Sequence, residues 1–186
     1  MSGTFEQARE FFLRGLEHYQ AGRFAQADAQ YCASLSLVPG RVSTLVNLGA
    51  TRLRLGRPKE AAAFLEEALA KEPHRADALG HLATALADLG QLEKALECVE
   101  RALALDATAG PAWSLRGEVL RDLGRHAEAA DSLAQAIAHG ADSELTRYQL
   151  SALTGRDVPS APPRDYVEAL FDSYSDDFDQ HATALQ

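Results

Sequence analysis

The sequence repeats at a fixed interval of 34 residues, and this interval limits what the chain can fold into more than any other feature. Segments that begin at Gly15, Gly49, Ala83 and Gly117 run in phase through four copies. Within that frame, small residues return at Ala27, Ala61, Ala95 and Ala129, and again at Ser34, Ala68, Ala102 and Ala136. Bulky residues return at Phe11, Leu45, Leu79 and Trp113, and at Tyr31, Leu65, Val99 and Leu133. A glycine recurs at Gly22, Gly56, Gly90 and Gly124, while Pro39 and Pro73 close the first two copies. Repeats of roughly 20–50 residues are supersecondary units that bury their apolar faces by stacking on their neighbours. A solenoid is therefore expected.

Each copy holds two stretches of helical apolar period split by the recurring glycine, which reads as two antiparallel helices joined by a tight turn. The expected helices cover residues 4–20, 24–37, 42–55, 58–71, 76–89, 92–105, 110–123 and 126–138, with a ninth over 142–154. Three of the four copies also place a glycine inside the first helix, at Gly15, Gly49 and Gly117. A mid-helix glycine costs about 1 kcal/mol relative to alanine. Close approach of the partner helix is the expected compensation, so a large residue there should strain the packing by roughly 1–3 kcal/mol.

These columns resemble the tetratricopeptide repeat, whose pattern sets Trp, Leu-Gly, Tyr, Ala, Phe, Ala and Pro at fixed places. The resemblance covers residues 8–141. It departs at Arg14 and Arg116, which stand for the leucine before the small residue. It departs also at His18, Arg52, Leu86 and Leu120, which stand for the tyrosine. These changes are expected to alter a binding groove and to leave the fold intact. The resemblance implies an all-α, right-handed superhelix, an α-α solenoid, over residues 1–154. Its repeats would lie near 8–41, 42–75, 76–109 and 110–141, with a capping helix at 142–154. Thr4 with Gln7 is expected to cap the first helix, and Asp142 the ninth. In the ninth helix Leu145, Tyr148, Leu150 and Leu153 should face repeat four, while Glu144, Arg147 and Gln149 face water.

In such solenoids the first helices line a concave surface. The resemblance places Arg9, Phe12, Leu16, Tyr19 and Gln20 there from repeat one, then Ser43, Val46, Asn47, Ala50, Leu53 and Arg54 from repeat two. Asp77, Gly80, His81, Thr84 and Asp88 follow, and then Ser114, Glu118, Arg121 and Asp122. The first half is mainly apolar and the second polar, which suits an extended peptide or a helix of another domain. The alternative is that the amino-terminal turn covers part of the apolar stripe. Family members that grip chaperone carboxyl termini use Lys, Asn and Arg; Phe12, Leu16, Asn47, Asp77 and His81 match at one place of five. Repeats of the O-linked N-acetylglucosamine transferase type carry an asparagine ladder, and Leu13, Asn47, His81 and Leu115 supply one rung of four.

After Gly155 the composition changes. Residues 155–165 form a proline-rich linker, and an acidic amphipathic helix is expected over 166–186. Val167, Leu170, Phe171, Tyr174, Phe178, His181 and Leu185 draw its apolar face. Residues 142–186 hold nine acidic and three basic residues, so the acidity of the chain, net −9, is concentrated there. That face could fold back, form a homodimer, or open a further domain. The words PPRDYVEALFDSYSDDFDQH resemble the junction in bacterial proteins that join tetratricopeptide repeats to a class I S-adenosylmethionine-dependent methyltransferase. Pro163, Tyr166, Val167, Leu170, Phe171, Asp172, Tyr174, Phe178, Asp179 and His181 carry the match; Ser175 and HATALQ depart from it. By that resemblance Tyr174 and Phe178 would flank the cofactor or substrate pocket of the full-length enzyme. Plain packing is the alternative role for both.

Other chemistry is excluded by what the chain lacks. An excess of acidic over basic residues opposes a sequence-independent grip on nucleic acid. No apolar run approaches the roughly 20 residues of a membrane span. The amino end shows no secretion-signal pattern, so a cytoplasmic, reduced protein is expected. Cys32 and Cys98 stand too far apart in sequence for a metal pair and read as packed thiols. Asp172, Asp176, Asp177 and Asp179 lack the central glycine and closing glutamate of a calcium loop. No nucleophile elbow or phosphate-cradling loop occurs.

The expectation is thus a protein-binding scaffold with no metal, cofactor or catalytic residue of its own. Its expected context is the amino-terminal part of a methyltransferase that uses S-adenosylmethionine and whose catalytic domain lies outside this sequence. A stand-alone adaptor is the alternative, and a glycosyltransferase-linked repeat the third.

Overall fold

A computed structural model describes residues 2–156, 161–164 and 167. Among them nine helices follow one another: α1 (Ser2–Gln20), α2 (Phe24–Leu37), α3 (Val42–Arg54), α4 (Pro58–Lys71), α5 (Ala76–Asp88), α6 (Leu92–Leu105), α7 (Gly110–Asp122), α8 (His126–Ala138) and α9 (Glu144–Thr154). The described residues hold no strand. Helices pack first within each repeat, α1 on α2 through α7 on α8. Each second helix then meets the next first helix, and α3 touches α5 as α5 touches α7. Second helices make no comparable contact with one another, so α3, α5 and α7 form the tighter, inner layer of an all-α solenoid.

The columns of the sequence turn out to be two halves of one contact. A Cβ at Gly15 would lie 2.6 Å from the Tyr31 ring, one at Gly49 2.6 Å from Leu65 Cγ, and one at Gly117 2.8 Å from Leu133 Cγ. The small column of the first helix thus receives the bulky column of the second. Repeat three holds Ala83 and Val99 at these places, both fully buried. One carbon has moved from the second helix to the first, and the volume is conserved. Between the paired helices Gly22, Gly56, Gly90 and Gly124 all adopt φ of 67–75°, the left-handed turn that a side chain would strain.

Several local expectations are corrected. Thr4 lies inside α1, which starts at Ser2, so it caps nothing. Ser143, one residue beyond the expected Asp142, caps α9 by accepting the Thr146 N–H at 3.0 Å. Asp142 instead takes Arg147 in a two-point ion pair. Gln149 is only 8% exposed rather than facing water, and its side chain interacts with Glu118 on α7. Arg52 and Arg116 serve packing rather than the groove. Arg52 joins Asp28 of α2 to Glu60 of α4, and Arg116 reaches Glu100 of α6 at 3.0 Å and Ser132 of α8 at 2.6 Å.

Of the linker, Gly155, Arg156 and residues 161–164 are described, and beyond it Val167 alone, whose N–H donates to the Pro163 carbonyl at 3.2 Å. The rest of the expected helix at 166–186, with Tyr174 and Phe178, lies outside the described residues. No described helix is long and apolar enough to cross a membrane.

Candidate functional site: the inner face of the first helices

Phe5, Arg9, Phe12, Leu16 and Tyr19 recur at three- and four-residue spacing along α1, and so share one face. Phe12, Leu16 and Tyr19 are half-buried, and Phe5 is 51% exposed. Arg41, the residue before α3, holds its guanidinium 5.2 Å from the Phe5 ring centre and 5.5 Å from that of Phe12. At the other end of α3, Arg54 lies 4.9 Å over Phe24, whose ring meets Tyr19 edge-on at 5.4 Å. Stacking of this kind contributes about 0.5–1 kcal/mol at exposed sites and fixes where the charge sits.

Not every expected groove residue offers surface. Val46 is only 4% exposed and Ala50 is likewise buried, so both support the floor. Leu53 is half-buried against the core. Asn47 turns its amide inward: Nδ2 donates to the Ser43 carbonyl at 2.8 Å, and the Tyr31 hydroxyl stands 3.5 Å from Oδ1. Burial pushes the Tyr31 phenol up to about 12.

The carboxyl half has another character. Asp77 is held by Arg75 through two bonds, of 3.0 and 2.7 Å, and accepts the Ala78 N–H, which keeps its carboxyl below the ordinary range. Burial lowers the His81 imidazole, with the Asp77 charge opposing in part. Burial raises Asp88 and Glu118; the hydrogen bond from Gln149 opposes the second shift. Arg121 pairs with its neighbour Asp122 at 2.8 Å.

Sequence reasoning missed one feature altogether. A cavity of about 900 Å³ opens between α8, α9 and residues 161–164, walled by Ala134, Ile137, Tyr148, Leu150 and Pro162 with Arg147 among the polar groups. Its one sequence signal was the run of apolar residues on α9 followed by prolines. None of the expected groove residues lines it. Elsewhere, Cys32 and Cys98 are free thiols on second helices, and burial raises that of Cys98. No group of metal-ligating side chains forms among the described residues.

Comparison with known families settles the class. Three family profiles match, each described as a tetratricopeptide repeat, at residues 12–76, 52–119 and 110–135. The chain is a tetratricopeptide repeat protein. No curated protein sequence matches it. Among solved structures, this tetratricopeptide repeat chain is similar to TTC0263, a thermophilic TPR protein of Thermus thermophilus. The identity is 26% and the TM-score 0.69, over 78% of this chain and 80% of that one. It is similar also to pilF of Pseudomonas aeruginosa, at 20% identity and TM-score 0.73, over 96% and 78%. A third neighbour is the first TPR of Spaghetti (RPAP3) bound to an HSP90 peptide, at 20% identity and TM-score 0.62, over 64% and 94%. The last two likenesses concern the fold.

Proposed function

We propose that this tetratricopeptide protein-interaction module binds an extended peptide segment along its inner face, chiefly through α1 and α3. One observation carries the reading: Phe12, Leu16, Tyr19 and Leu53 remain partly exposed on the inner helix layer. Such a strip, flanked by charges, offers anchoring contacts to alternate side chains of a bound segment. A displayed peptide library selected on the full chain tests it. Selected peptides should lose binding to Leu16→Glu and Leu53→Glu, while both variants keep their helical content. The same peptides should still bind Leu105→Glu, which alters an exposed leucine on α6. Retained binding to both groove variants would place the site elsewhere.

The context we propose is the amino-terminal part of a bacterial methyltransferase, supported by the junction-like words around Pro163, Tyr166, Val167 and Phe171. Rossmann-like folds hold their cofactor at a Gly-rich turn after a strand. The described residues have no strand, so S-adenosylmethionine belongs in this proposal to a further domain of the parent. The native gene product, purified through an antibody to the repeats, should have an intact mass well above 20.0 kDa and bind S-adenosylmethionine. A mass of about 20.0 kDa would favour the stand-alone adaptor.

A further inference from the structure

Two arginines two residues apart on α3 have opposite fates. Arg52 is surrounded by the carboxylates of Asp28 and Glu60. Arg54 has no carboxylate in ion-pair contact among the described residues, and neither do Arg9 and Arg41, although Arg75, Arg116, Arg121 and Arg125 all do. Aromatic rings hold Arg54 and Arg41 in place without neutralising them. One terminal nitrogen of Arg41 is shut off from solvent and has no hydrogen-bond acceptor. A buried donor left unmatched on a charged group is costly; Arg41 as a whole is half-buried, so a carboxylate can pair with its exposed part and return charge stabilisation without reaching that nitrogen.

From this we infer that the amino half of the groove recognises an acidic partner segment, with two carboxylates about six residues apart and apolar residues between them. The inference rests on the groove reading above and names its ligand class. The spacing follows from α3. Arg41 precedes α3 and Arg54 is its last residue, 13 steps on, a length of about 20 Å at the rise of an α-helix. An extended chain covers that distance in about six residues. Phe12 lies under Arg41, Leu16 one turn farther along α1 and Leu53 next to Arg54, so apolar contacts for the intervening side chains run from one arginine to the other.

Fluorescence anisotropy on the full chain tests this with two synthetic, labelled peptides. One reads Asp-Leu-Ala-Val-Ala-Leu-Glu, and the other replaces its acids by Asn and Gln with blocked ends. The acidic peptide should bind at least about tenfold more tightly, with the advantage shrinking as salt is raised. Arg41→Gln and Arg54→Gln should each reduce that advantage, and weaken the acidic peptide more than the amide peptide. Leu16→Glu should abolish both complexes. Equal affinity for the two peptides, lost together in Leu16→Glu, would keep the groove and overturn its acidic preference. Binding of neither peptide, while library-selected peptides still respond to Leu16→Glu, would overturn it too. The chain's own residues 165–186 carry six carboxylates and no Lys or Arg. A peptide of that sequence displacing the designed one at lower concentration would make the chain's own tail the occupant and overturn the partner assignment.

Discussion

The amino and carboxyl halves of the inner face are built on one frame and differ in what they leave unsatisfied. Along α1 and α3, Arg9, Arg41 and Arg54 stand without a carboxylate, two of them seated on rings. Along α5 and α7 most of the charged groups are already engaged: Asp77 with Arg75, Asp122 with Arg121, Glu118 with Gln149 of α9, Asp88 being the exception. The contact between first and second helices is nonetheless alike in both halves, Gly49 on Leu65 and Gly117 on Leu133. The repeat columns therefore carry the packing, and the recognition proposed above rests on the residues between them.

The sharpest way to break this division is to charge both halves in turn. Leu16→Glu should reduce peptide affinity by a hundredfold or more, since it buries a carboxylate in an apolar contact. Thr84→Glu on α5 should change it little, as read by anisotropy. Equal losses would erase the distinction between the halves.

Next in size is the shared frame. Gly49→Ala gains helix propensity of about 1 kcal/mol but sets a methyl against the fully buried Leu65. Overpacking should outweigh the gain and destabilise the protein by about 1–3 kcal/mol in urea unfolding. Adding Leu65→Val, which reproduces the Ala83 and Val99 arrangement, should restore most of the loss. Gly117→Ala with Leu133→Val should behave in the same way in the other half. A rescue confined to one half would show that the frame is not common to both.

Smaller effects come from titration, and they belong to the carboxyl half. Glu118 has a folded value above its unfolded one, so stability falls as pH rises from the ordinary carboxylate value through the folded value. Glu118→Gln should therefore gain on the wild type between pH 4 and pH 7, measured by urea midpoints. His81 has a folded value below its ordinary 6.5, so stability falls as pH drops from 6.5 through the folded value. His81→Gln should flatten that part of the curve.

Period and columns made the fold legible, with helix bounds agreeing to within two residues. Contacts between columns were not legible, because a repeat shows which positions matter without showing which ones touch. The α9 cap was misplaced by one residue because Asp142 and Ser143 can both accept an N–H, and Arg147 decided between them by drawing Asp142 away. Sequence alone points Arg52 to the groove, because its partner Asp28 lies 24 residues earlier on another helix. Arg41 lies just outside α3, so no helical face pattern could place its guanidinium between Phe5 and Phe12. Gln149 looked solvent-facing by spacing, and only the placement of α9 beside α7 shows Glu118 opposite it.

The most direct test of the central claim is a backbone amide chemical-shift titration of the full chain with the acidic peptide. The perturbed amides should cluster on α1 and α3, around Phe12, Leu16, Leu53 and Arg54. A cluster on α8 and α9, around the cavity beside Ile137 and Leu150, would contradict it.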